Sequence, residues 1–280
     1  MDVVRNEPLL EVERLCVDFP GRGFRAKPNR VLRDVSFVIR PGETLGLVGE
    51  SGSGKTTIGR AVLGLVPVSA GTVRFDGRDI TRAGRAERRR LSQDVQVVFQ
   101  DPYTSLNPSM TIESILTEPL TAAGTDAQEA RRRVGALLDR VHLPADAAHR
   151  LPREFSGGQR QRIAIARAIA LGPRLIVCDE PVSALDLTTQ ARVLELFTEI
   201  QENTGVAYLF VSHDLGVVRH VSHNVMVLYR GDVVEHGRAE QVTADPRHPY
   251  TRKLLMSAPV PDPAAQRLRR EERRALAQSA

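Results

Sequence analysis

The run Gly49-Glu50-Ser51-Gly52-Ser53-Gly54-Lys55-Thr56-Thr57 has the spacing G-x-x-x-x-G-K-[ST], and the chemistry that spacing serves is phosphate binding. Glycines let successive backbone N–H groups turn inward and form a concave anion site. A helix that begins where the loop ends adds the positive end of its dipole. Lys55 offers a full charge to the β- and γ-phosphates of a nucleotide, and Thr56 offers a hydroxyl to Mg²⁺. A Gly/Ser-rich turn can match such a pattern by chance. The context that the chemistry needs is nevertheless present, with the apolar run Thr44 to Val48 before the loop and a helical segment, Thr56 to Leu65, after it.

Two further segments carry groups suited to the same chemistry. Leu175-Ile176-Val177-Cys178 is an apolar strand that ends in Asp179 and Glu180. Ligands of parallel sheets sit at the carboxyl ends of strands. There Asp179 would hold Mg²⁺ through water, and Glu180 would face the γ-phosphate and polarise an attacking water. An acidic turn is common by itself; the phosphate loop upstream is what gives this one a role. Phe155-Ser156-Gly157-Gly158-Gln159 leads into the strongly helical stretch Arg160 to Ala170. Ser156 can cap that helix, and the two glycines expose backbone N–H groups, so this terminus also suits an anion.

These groups need a scaffold, and the chain alternates strands with helices. Strand patterns fall at Leu9–Asp18, Val31–Arg40, Thr44–Val48, Gly71–Phe75, Val95–Phe99, Leu175–Cys178, Ala207–Val211 and Val225–Tyr229. Helical patterns include Ala127–Val141 and Gln190–Glu202. Alternation of this kind implies a mostly parallel sheet with helices on both faces. From Pro102 to Arg153 helical periods dominate, which predicts an inserted helical subdomain. From about Ala239 the chain reads as a Pro-rich extension with a charged tail, and no internal repeat is visible.

Composition narrows the classes. The 280 residues are 41% hydrophobic and 26% charged, which predicts a packed core rather than disorder. The net charge of +5 comes without Trp and with only 4% aromatics, so no stacking platform for nucleic acid is evident. Cys16 and Cys178 share no metal-ligand spacing, and two cysteines in this length read as a reduced cytosolic chain. The N-terminus lacks an apolar signal core, and no apolar run approaches the roughly 20 residues of a spanning helix. A membrane role must then come through partner chains. The charge runs Arg82–Arg90 and Arg267–Arg274 read as solvated faces; contact with anionic headgroups or a partner is the sharper alternative.

Taken together, the motifs resemble the ABC transporter ATPase family. GESGSGKTT resembles its phosphate loop, and FSGGQRQRIAIARAI its signature motif, with Phe155 where Leu is more usual. LIVCDEP resembles its Mg²⁺-and-base strand, Ser183-Ala184-Leu185-Asp186 its D-loop, His213 in VSHDL its switch histidine, and Gln100 in VFQDP its Q-loop glutamine. The resemblance covers roughly residues 9 to 240, with the motifs in order. QDPYTSLNPSMTI, CDEPVSALD and RHPYTRKLLMSAPVPDP resemble the oligopeptide/dipeptide/nickel import branch, and the last of these lies outside the catalytic core.

The resemblance implies a P-loop NTPase (RecA-like) α/β core with a parallel sheet, an antiparallel β edge and an inserted helical subdomain. It places an ATPase domain at residues 1–240, the helical signature subdomain at about 101–166, and an importer-type extension at 241–280. It implies ATP and Mg²⁺ as cofactors, with ATP held between two such subunits head to tail. Gly49 to Thr57 would bind from one side, and Ser156, Gly157, Gly158 and Gln159 of the partner subunit would close the γ-phosphate site. Glu180 would be the general base, His213 would bind the γ-phosphate, Gln100 would touch Mg²⁺ or the water, and Asp186 would reach across the dimer. Family members stack adenine on an N-terminal aromatic; Phe19 is the choice here and Phe24 the runner-up, unless both only pack. Some relatives carry a cysteine-ligated iron–sulfur site in the C-terminal region, and this chain has no cysteine after Cys178, so none is expected.

The implied assembly has a second ATPase subunit of similar but distinct sequence, two membrane permease subunits and an extracytoplasmic binding protein, with the chain peripheral on the cytoplasmic face. A soluble ABC protein acting on ribosomes or DNA would show two cassettes or a long coiled-coil insert, and neither is evident. A module of a phosphonate-cleaving assembly is the alternative, but Glu180 and His213 are both in place for turnover.

Overall fold

The computed structural model describes residues 7–21 and 28–257. The central sheet contains β3 (Thr44–Val48), β6 (Val95–Val98), β7 (Leu175–Asp179), β8 (Ala207–Ser212), β9 (Asn224–Tyr229) and β10 (Asp232–Arg238), in the order β10-β9-β3-β8-β7-β6. All neighbours are parallel except β9 and β10. β3 and β8 are buried along their whole length, as strands covered on both faces must be. Along β8 the faces alternate: Ala207, Leu209 and Val211 enter one core, while Tyr208 and Phe210 enter the other.

The first of those cores lies under a four-stranded antiparallel sheet built from β1 (Leu10–Phe19), β2 (Asn29–Ile39), β4 (Ala70–Phe75) and β5 (Arg78–Asp79), in the order β2-β1-β4-β5. The helix α1 (Lys55–Val62) contributes Ile58, Ala61 and Val62 to the same core. The second core is helical. It gathers α4 (Ile112–Ala122), α5 (Ala127–Arg140), α6 (Gly157–Ile169) and α7 (Leu187–Thr204) around Phe197, whose ring meets Tyr208 and Phe210 edge-on at 5.4 and 5.6 Å. Such edge contacts add about 0.5–1.5 kcal/mol each to the burial itself. A shorter helix, α3 (Pro102–Ser105), opens the helical stretch, and 3₁₀ turns at Ala145–His149 and Pro152–Glu154 carry the chain into α6. A third, smaller core lies where α8 (Leu215–Val221), α9 (Ala239–Ala244) and α10 (Pro249–Ser257) cover β9. The close approach of α8 requires Gly46, where an added Cβ would stand 2.0 Å from Val218 Cγ1.

Three features differ from the sequence reading. The second helix, α2 (Arg85–Asp94), does not leave its arginine run wholly solvated. Arg88 turns inward and donates to the carbonyls of Val62 and Ile80, and burial pulls its guanidinium below the usual range. The hairpin strands β5 and β10 were not evident as patterns. Their turns, Asp76-Gly77 and Arg230-Gly231, take positive φ at both residues, the two-residue connection that matches strand twist. The extension after Ala239 is not merely Pro-rich but forms α9 and α10. Phe24 and the Arg267–Arg274 run lie outside the described residues.

Candidate nucleotide site

The loop between β3 and α1 is shaped by glycines that nothing else could replace. A Cβ on Gly49 would come 2.3 Å from the Leu228 carbonyl oxygen, and one on Gly54, at φ 110°, would come 2.6 Å from Leu32 Cδ2. Gly54 is also the left-handed residue that starts α1. The loop curls round Lys55, whose Nζ donates to the carbonyls of Gly49 at 2.7 Å and Glu50 at 3.0 Å. Lys55 is only 4% exposed. Burial pulls its ammonium below the ordinary lysine range, and the nearby Glu180 and Asp179 partly oppose that shift.

Asp179 ends β7 and accepts a hydrogen bond from Thr56 Oγ1 at 2.8 Å. Burial holds its carboxyl above the usual range; the Thr56 bond works the other way. Glu180 follows with φ 48°, an uncommon conformation for a side-chain-bearing residue that costs of the order of 1–3 kcal/mol. Its backbone is held there from both sides: its N–H donates to Val211 at 3.0 Å, and its carbonyl accepts from Ser183 Oγ at 3.0 Å. The turn lifts the carboxylate toward His213, whose Nδ1 lies 3.0 Å from Glu180 Oε2. A carboxylate can only accept, so this contact selects the Nδ1–H form of the imidazole.

One open cleft of about 960 Å³ collects these groups. Its polar side is formed by the phosphate loop with Thr56, Gln100, Glu180 and His213, and its apolar end by Phe19, Val31 and Leu254. The volume is at the upper end of the range of small-molecule sites, about 300–1,000 Å³. The pocket therefore unites Phe19, the loop, Gln100, Glu180 and His213. Val31 and Leu254 were not singled out from sequence; both are apolar residues of ordinary strand or helix pattern, and no residue type marks them.

Ser156, Gly157, Gly158 and Gln159 do not line the cleft. They start α6 elsewhere, with a reciprocal capping box: Gln159 N–H donates to Ser156 Oγ at 3.3 Å, and Ser156 N–H donates to Gln159 Oε1 at 3.0 Å. This terminus packs on the start of α7. A Cβ on Gly158 would meet Thr189 Cγ2 at 2.2 Å, and Leu185 Cδ2 lies 3.7 Å from a Cβ built on Gly157. Asp186 caps α7 of its own chain, accepting from Thr189 N–H at 3.0 Å and Thr189 Oγ1 at 2.6 Å. Those bonds hold its carboxyl below the usual range.

The residues present fit a magnesium nucleotide. Ser53 Oγ is buried beside Gly49 without a hydrogen-bond partner, in a loop whose other polar groups point to anion chemistry. Thr56 and Asp179 bring a hydroxyl and a carboxylate together, and Gln100 lines the same cleft with an amide. All are hard oxygen donors of the kind Mg²⁺ takes one or two at a time, beside phosphate oxygens. Among the described residues no cluster of three or more His, Cys, Asp or Glu could hold a metal by itself.

Comparison with known proteins agrees with the geometry. Residues 32–183 match the family described as ABC transporter, and residues 234–279 match the oligopeptide/dipeptide transporter C-terminal region. The glutathione import ATP-binding protein GsiA of Pectobacterium atrosepticum is 48% identical over 265 residues, covering 92% of this chain and 42% of that protein. GsiA of Escherichia coli is 48% identical over 275 residues, covering 96% and 44%. The chain thus spans less than half the length of these relatives. Among solved structures, cbiO1 of Clostridium perfringens, part of the ABC transporter complex cbiONQ, superposes with a TM-score of 0.76 at 25% identity, covering 86% of this chain and 92% of that one. The ATP-binding cassette MJ0796, solved as a dimer with ADP and Pi, gives 0.73 at 27% identity, covering 82% and 98%. With a family match over more than half its length and the fold of ATP-binding cassettes, the chain belongs to the ABC transporter family.

Proposed function

We propose that this chain binds and hydrolyses ATP to energise an importer of peptides or related small solutes, nickel included. The observation that carries the reading is the cleft in which the Lys55 loop, Thr56 with Asp179 bonded behind it, Gln100 and the Glu180–His213 pair converge. The import branch is supported by the match of residues 234–279 and by the two GsiA relatives, whose names specify glutathione import.

In this reading the loop amides and Lys55 bind the phosphates, with Phe19 at the apolar end for the adenine. Thr56, Asp179 and Gln100 would hold Mg²⁺. The chemistry a magnesium ion supplies there is neutralisation of charge on the β- and γ-phosphate oxygens. Glu180 orients the attacking water and takes its proton, and His213 keeps the carboxylate in place and contacts the γ-phosphate. Ser156, Gly157, Gly158 and Gln159 do not line this cleft. They serve the cleft of a partner ATPase, whose own helix terminus closes this one. Two opposed subunits exclude water from the phosphates, as one loop alone cannot. Asp186 stands beside that terminus and contributes to the contact between the subunits. The partner ATPase, two permease subunits and an extracytoplasmic binding protein complete the assembly, with this chain peripheral on the cytoplasmic face.

The test is reconstitution in lipid with the permease subunits and a loaded binding protein. ATP-dependent uptake of a peptide, abolished by Glu180→Gln, is the expected result. A complete complex that hydrolyses ATP and moves no solute would overturn the import reading.

A further inference from the structure

The C-terminal helices are joined to the phosphate loop by a contact that the chemistry above does not use. The Glu50 N–H, at the second residue of the loop, donates to Tyr250 Oη at 2.9 Å across 200 residues of chain. Tyr250 is 8% exposed, and its ring lies against Tyr229 with centroids 4.4 Å apart. Four residues further along α10, Leu254 lines the apolar end of the cleft. One helix therefore touches both the phosphate-binding backbone and the lining of the same pocket.

The start of α10 is itself pinned. Glu235 of β10 accepts the Arg247 N–H at 2.7 Å and the His248 N–H at 3.0 Å, and His248 Nδ1 accepts from the Tyr250 N–H at 3.2 Å. The β9–β10 turn holds the loop at a second point, where the Gly231 N–H donates to the Ser53 carbonyl at 2.9 Å. A loop amide that donates to a phenol oxygen is committed away from the anion site. Its neighbours are left to converge on the phosphates in one arrangement, so the ordering cost is met before the nucleotide arrives.

We propose that Tyr250 is a positioning residue for the phosphate loop, and that through it ATP binding and the docking of α10 are coupled. The proposal rests on the ATP-site reading above. By linkage, what α10 does for ATP, ATP does for α10.

The experiment measures ATP binding and steady-state hydrolysis for the wild-type chain, Tyr250→Phe and Lys55→Ala. Loss of one neutral hydrogen bond predicts ATP binding weakened about fivefold in Tyr250→Phe, with KM raised by a similar factor and kcat within about twofold. A purely structural tyrosine would lower the melting temperature and leave Kd and KM unchanged, and that result overturns the proposal. Lys55→Ala reports on the site reading separately: if it binds ATP like the wild type, that reading fails, whatever Tyr250→Phe does. Should Tyr250→Phe not fold, hydrogen exchange on the wild type decides. ATP is expected to slow exchange in residues 249–256 as well as 49–57; slowing confined to 49–57 would contradict the coupling.

Discussion

Glu180, the proposed base, gathers several structural features in one residue. It combines a left-handed backbone, hydrogen bonds holding that backbone on both sides, and a carboxylate against His213. Such strain persists only where surrounding structure enforces it, and it gathers at functional sites. Glu180→Gln keeps the shape and removes the proposed base, so hydrolysis should fall by about 10²- to 10⁴-fold while ATP still binds, as single-turnover and equilibrium binding assays would show. Asp179 behaves in the opposite sense to a stabilising carboxylate. Burial raises its pKa, so the folded chain prefers it protonated; that preference favours the fold at low pH and is lost as pH rises through the raised folded value. At neutral pH the ionised form is therefore a burden on stability. Asp179→Asn retains an oxygen for Thr56 and should hold or raise the melting temperature at pH 7 without nucleotide, while hydrolysis collapses. A clear fall in melting temperature would contradict this account of the charge.

At the scale of elements, helix and strand termini do the positioning. α1 begins at a positive φ that suits glycine, α6 at a capping box, α7 at Asp186, and α10 at amides held by Glu235. Burial acts to raise the Glu235 carboxyl, but the donors facing it, the Arg247 and His248 N–H groups among them, outweigh it and leave it below the usual range. The sign here is the ordinary one: stability contributed above the unfolded value near 4.5 is lost as pH falls through the lowered folded value. Glu235→Ala should speed hydrogen exchange in residues 247–256 at pH 7, more than in the wild type, and the difference should shrink under acid. At α6, Gly158→Ala drives a Cβ into Thr189 and should displace the α6 terminus from α7. Hydrolysis by the assembled pair should drop while ATP binding to the single chain is kept.

Much of this scaffold was legible because strong local signals were aligned with the fold. The buried runs Thr44–Val48 and Leu175–Cys178 fall in central strands, and Ser156 and Asp186 are residues that suit caps. What stayed hidden was non-local. No pattern in β10 reveals that it pairs antiparallel to β9, and nothing in the local sequence of α10 says that Tyr250 reaches Glu50. Arg88 reads as one of several solvated arginines until the carbonyls of Val62 and Ile80 appear beside it.

For the whole molecule, the decisive fact is separation. The phosphate loop and the Ser156–Gln159 terminus are presented by one chain but do not share a cleft. In the proposed reading each is half of a site, so ATP should act as an adhesive between subunits, and its hydrolysis should release them. Among the described residues no helix is long and apolar enough to cross a membrane. The most direct test is sedimentation of the Glu180→Gln chain with its partner ATPase, with and without Mg-ATP, beside the same variant carrying Ser156→Arg. ATP should convert separate subunits into a stable pair, and Ser156→Arg should abolish pairing while each loop still binds nucleotide. Nucleotide bound by Glu180→Gln without pairing, or pairing indifferent to Ser156→Arg, would contradict the claim that ATP is held between two chains.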